Sequence, residues 1–283
     1  ITITNTNGNR IINNRHHNKT LIVNSSINVI TDKKSPYRGT SLGLYFTNIQ
    51  KLDIQNNATI DSWLDTQNTT INQVDISSPN VAGFHLKRGT KIGTIDLKQG
   101  GHMMSMYIRS NNVSIDTLNI NGTLAGWPQY GGINNQGGKI NTINVKQGGK
   151  IEQGVRNNNG TIQTLTISGG QVQGGVNNNG TLNKLDLSNG TINGGITNNR
   201  TMGSISVSDG TITGNIVNSG SNASTGNISI TGTSNVSGSI VNQNGANFTS
   251  NITLDANSKL GGITNNANST MSGTLDLKGE VGT

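Results

Sequence analysis

Along most of this chain an apolar residue, a polar residue and a second apolar residue recur as a triplet at intervals of 20 to 25 residues. The apolar pairs are Leu52/Ile54, Val74/Ile76, Ile95/Leu97, Leu118/Ile120, Ile143/Val145, Leu165/Ile167, Leu185/Leu187, Ile205/Val207, Ile228/Ile230, Ile252/Leu254 and Leu275/Leu277, and the residue between them is Asp, Asn, Thr or Ser. Such alternation puts two side chains on one face and the third on the other, which marks a half-buried strand and excludes a helix. Each triplet is one of three apolar stations in a longer frame, whole from Val176 to Gly195: an Ile or Val, the triplet, and one more Ile, Val or Leu just before Gly.

Short strands separated by NNG, SNG, SDG and SGG cannot each bury a face alone, whereas stacked neighbours can. The repeat therefore predicts an all-β, right-handed parallel β-helix (a β-solenoid) of about 11–12 coils with roughly 22 residues per coil, its hand following the general rule for parallel crossovers. At a strand spacing of about 4.8 Å the rod would be on the order of 55 Å long. In the second half the first station carries Asn two residues downstream in every coil: Asn135, Asn157, Asn178, Asn198, Asn218, Asn242 and Asn265. Stacked at that spacing, these amides are expected to form an internal ladder, each donating to the next. Left-handed turn geometry alone would not demand one fixed register.

Composition supports a narrow lumen. Asn and Gly number 46 and 39, whereas aromatics make up 3% and charged residues 12%, so a conventional aromatic-rich core is ruled out. The absence of Cys excludes disulfides and Cys-ligated zinc, and is compatible with export as an extended chain. No apolar run approaches the roughly 18 residues of a membrane helix. The chain opens at Ile1 inside a strand-like pattern, as a processed product or excised fragment would.

The frames NNNGTIxTLxISxG and GGIxNNxGTI resemble those of Gram-negative autotransporter passenger domains, especially the vacuolating-toxin-like and adhesin-type passengers of Helicobacter and Campylobacter relatives. The resemblance covers residues 47 to 283. It implies a secreted or cell-surface β-helix, exported through a C-terminal outer-membrane barrel that is absent from this chain, with a role in adhesion, aggregation or action on host cells. The chain lacks the GDSG-type nucleophile turn of serine-protease passengers, and it lacks the long apolar segment with small-residue repeats of a membrane-inserting toxin.

Charge divides the chain. Residues 1 to 156 contain 16 Lys and Arg against 8 Asp and Glu, whereas residues 157 to 283 contain 4 against 5. The expected organisation is an N-terminal coil or cap with an inserted loop (1–46), irregular basic and aromatic coils (47–130) and a regular Asn-ladder stalk (131–283). Three clusters are candidate ligand-binding residues: Lys33, Lys34, Tyr37 and Arg38 in the insertion; His85, Lys87 and Arg88; and Tyr107, Arg109, Trp127 and Tyr130. Cations and aromatic faces together suit a host-cell receptor or acidic glycan. Alternatively, the aromatics cap the open core and the lysines give solubility. Nucleic acid is not an expected partner, because no RNP, helix-turn-helix or zinc pattern accompanies the charge.

Asp53, Asp75, Asp96, Asp186 and Asp276 share the middle slot of the triplet and would stand in a broken outer column. A β-helical carbohydrate-active enzyme is therefore an alternative to a non-enzymatic adhesin, and a self-associating aggregation factor or a toxin's binding subunit is another. Adjacent His16 and His17 would point to opposite faces of a strand, while His85 and His102 lie near one coil apart and would stack without a third ligand. No metal, cofactor or catalytic residue is expected.

Overall fold

The computed structural model describes residues 2–3, 10–13, 17–24, 26–27 and 40–282. Among these residues there is no helix, and the strands pair in parallel with strands one coil away, giving a β-solenoid of about 11 turns with about 22 residues in each. One face of the coil carries Asn48–Ile54, Thr70–Ile76, Lys91–Leu97, Ser114–Ile120 and Lys139–Val145, and continues to Leu275–Leu277. Here the apolar pairs stand in register, Leu52 on Val74, Val74 on Ile95, Ile95 on Leu118 and so to Leu275. Their side chains fill one continuous core that runs from Leu21 to Leu260. Each fully buried Leu or Ile contributes about 1.5 to 3 kcal/mol relative to exposure.

Corners follow from residues that tolerate left-handed backbone. After the first face, successive coils place Gly148, Gly169, Asn189, Asp209 and Gly232 at φ 82°, 71°, 51°, 52° and 68°. Only Gly, Asn and Asp take this conformation at low cost, which explains why SGG, SNG and SDG recur there.

Inside a second corner, the side-chain amide of Asn135 donates to Asn157 Oδ1 at 3.0 Å, and the series continues through Asn178, Asn198, Asn218, Asn242 and Asn265 at 2.8 to 3.1 Å. Spare N–H groups bond the corner carbonyls, such as Gly138 O and Gly160 O. The row begins where Ile108 stacks on Asn135, so the buried Asn135 Oδ1 has no hydrogen-bond partner. A second row of amides lies outside it and runs in the opposite sense: Asn199 donates to Asn179, Asn179 to Asn158 and Asn158 to Asn134.

The N-terminal coils depart from this regularity. Leu21 pairs with Leu52, 31 residues on, whereas Leu52 pairs with Val74, 22 residues on, so the extra chain lies between them. A second insertion, Trp127 to Gly131, folds back on itself through an antiparallel bridge.

Candidate functional site

Three consecutive coils bring charged and aromatic groups to one outer face. Leu64, Phe84 and Met106 point inward, so their neighbours Asp65, His85 and Tyr107 point outward, and parallel pairing sets these three directly above one another. His85 and Tyr107 consequently stack, with centroids 5.5 Å apart and planes 13° from parallel. Trp63 packs beside His85 at 5.6 Å. Its ring fits only because Gly83 stands opposite: a Cβ there would lie 2.9 Å from the ring and 2.5 Å from Ser105 O, and the φ of 145° favours glycine.

Asp65 is buried and fully engaged. Its Oδ2 receives Lys87 Nζ at 2.7 Å and the Tyr45 hydroxyl at 3.4 Å, and its Oδ1 lies 2.9 Å from His85 Nδ1. With Nδ1–H donating to Asp65, His85 Nε2 is left to accept from Arg109 Nη1 at 3.4 Å, which describes a neutral imidazole held from both sides. Arg109 itself is exposed and lies over the Tyr107 ring, 5.1 Å from its centroid.

The Trp127–Gly131 loop closes one side. Arg156, two coils beyond Tyr107 in the same outer column, donates from Nη1 to Gln129 O at 2.6 Å and from Nη2 to Pro128 O at 2.8 Å. This clamp holds Tyr130 with its centroid 6.0 Å from Tyr107. Trp63, His85, Ser105, Tyr107, Arg109 and Tyr130 together line a cleft of about 320 Å³.

Of the residues expected to form a site, the structure thus joins His85, Tyr107, Arg109 and Tyr130. Trp127 shares the loop but does not line the cleft, and stands exposed beside it; Arg88 is exposed on a corner apart from the cleft. Lys87 lies against Asp65 rather than free in solution, because the buried carboxylate needs a counter-charge. His102 does not stack on His85: it pairs with Thr123 on another face, and Tyr107 takes the stacking place. Lys33, Lys34, Tyr37, Arg38 and His16 lie outside the described residues. Asp65, Trp63, Ser105 and Arg156 were not singled out from sequence. The signal for the first was its spacing, since Asp65 precedes His85 by the same coil length that separates His85 from Tyr107.

The aspartates of the triplet do form an outer column, Asp53 on Asp75 on Asp96, but each is matched by neighbours. Lys51 reaches Asp75 at 2.8 Å, and Lys98 reaches Asp96 at 3.2 Å. Gln73 bridges Asp75 and Asp96, Asn119 donates to Asp96, and Gln55 donates to Asp53. Burial raises the pKa of Asp75 and Asp96, but these hydrogen bonds and the Lys98 charge outweigh it and leave both below the usual carboxylate range. Such carboxylates stay ionised and occupied at neutral pH, which suits surface cohesion. Among the described residues, no group of three or more His, Asp or Glu is placed to hold a metal ion.

No protein family model, curated protein or solved structure matches this chain.

Proposed function

We propose that the chain is a surface-exposed or secreted β-helical passenger segment of a Gram-negative bacterium, acting without catalysis as an adhesin or receptor-binding rod for host cells. The observation that carries this reading is the cleft on the irregular N-terminal coils, where an exposed Arg109 and a half-exposed Tyr130 are held by buried supports. The repeat frame supports the passenger assignment, and residues 131 to 283 supply a regular spacer. The neutralised aspartate column favours this over a carbohydrate-active enzyme, which needs a free acid and base facing a cleft.

Binding of the purified chain to cultured animal cells, measured across a salt series beside Arg88→Glu and Arg109→Glu, tests it. Binding should fall several-fold between about 50 and 300 mM salt, and Arg109→Glu should lose most of it. Absence of cell binding, with sedimentation showing only self-association, would replace the receptor-binding role with a bacterium-to-bacterium linker. Release of reducing ends from glycans would replace it with an enzyme.

A further inference from the structure

We infer that the Trp63–Tyr130 cleft binds a single carboxylate-bearing sugar residue, with Arg109 pairing the carboxylate and Tyr130 covering the apolar face of the ring. This rests on the receptor-binding reading for its biological setting, but the site is argued from its own geometry.

Size comes first. At about 320 Å³ the cleft lies at the lower end of ligand pockets, which span roughly 300 to 1,000 Å³, so it takes one ring and not several. Charge then sets the sign. Asp65 is balanced by Lys87, and His85 spends its Nδ1 proton on Asp65, whereas the ion pairs among the described residues leave Arg109 without a carboxylate. Arg109 gives one N–H to His85 and keeps the remaining donors of its fork, the geometry that receives a carboxylate in bidentate fashion. One uncompensated cation calls for one negative charge.

The wall chemistry completes the match. Tyr130 is 45% exposed and offers a ring face and a hydroxyl, while the faces of Tyr107 are taken up by His85, Arg109 and Tyr130. An apolar ring face, a hydroxyl and a guanidinium within one small cleft recognise a sugar that has a hydrophobic side, hydroxyls and an acid. An extended polyanion is disfavoured by the surrounding lysines. Lys51, Lys87 and Lys98 are each tied to an aspartate, so no continuous basic track leads away from Arg109.

The probes are the methyl glycosides of N-acetylneuraminic acid and of glucuronic acid, their methyl esters, and heparin, titrated against the whole chain by NMR or calorimetry. At least one free acid should bind with a Kd on the order of 1 mM, and its ester should bind at least about tenfold more weakly. Which acid binds distinguishes a nonulosonic from a uronic ligand. Arg109→Gln should weaken binding about tenfold or more and Tyr130→Ala several-fold, with melting temperatures unchanged because both residues are exposed. Equal binding of acid and ester, indifference to Arg109→Gln, or binding of heparin without either monosaccharide would overturn the assignment. Cell binding that persists while both sugars fail would sink this ligand and leave the adhesin reading standing. Sugar binding without cell binding would do the reverse.

Discussion

Single amides carry much of the order in the second half. Asn178 accepts from Asn157 Nδ2 and from Gly180 N–H, and donates to Asn198 Oδ1 and to the carbonyls of Gly180 and Thr201. Replacing it with Leu strands buried groups on both sides, each costing about 1 to 3 kcal/mol. Asn135 differs, because its Oδ1 is already unsatisfied and an Ile occupies its place one coil earlier. Chemical denaturation should therefore show Asn178→Leu to be more destabilising than Asn135→Leu, by about 1 kcal/mol or more. Equal losses would mean that the amides act as isolated turn formers. The positions of these asparagines are readable in the sequence, because a strict repeat puts like residues in like places. The direction of their hydrogen bonds, and the second row running the opposite way, depend on how each side chain rotates once the coils are stacked.

The unit at the next scale is the strand face, where side chains one coil apart meet. The network of Lys51, Gln73, Asp75, Asp96, Lys98 and Asn119 ties three neighbouring strands across their outer side. Asp75 and Asp96 have pKa values lowered by folding, so they add stability that is present above the unfolded value of about 3.9 and is lost as pH falls through the folded ones. Lys51 is raised, chiefly by its hydrogen bond to Asp75, so its share is present at neutral pH and fades only as strongly alkaline pH is reached. Melting temperature should decline as pH drops from about 5 toward about 2, and Asp75→Asn should flatten that decline while costing about 1 kcal/mol at pH 7. An unaltered acid slope in Asp75→Asn would assign the acid sensitivity to other carboxylates.

Over the whole molecule, the coils are coupled to their neighbours alone, since each strand's partners lie one coil before and one coil after. Damage should then stay local. Leu185→Ala empties part of a fully buried position and should cost about 3 kcal/mol, with amide exchange quickening most in the coils of Leu165 and Ile205. The same change at Leu277, already 37% exposed in the last coil, should cost less than about 1 kcal/mol. Uniform loss of protection along the rod would contradict nearest-neighbour coupling.

The sequence by itself determined the solenoid. Period-two triplets at one coil length specify which side chains are buried and which strand lies on which, and Gly, Asn and Asp at fixed offsets specify the corners. Tertiary structure alone decided the cleft. Trp63, Asp65, His85, Tyr107, Arg109 and Tyr130 come from coils of unequal length, and they converge because parallel stacking converts a separation of about 22 residues into adjacency. It also decided which cations are free. Lys87 and Arg109 look alike in the sequence, yet a buried carboxylate captures the first and leaves the second facing the cleft.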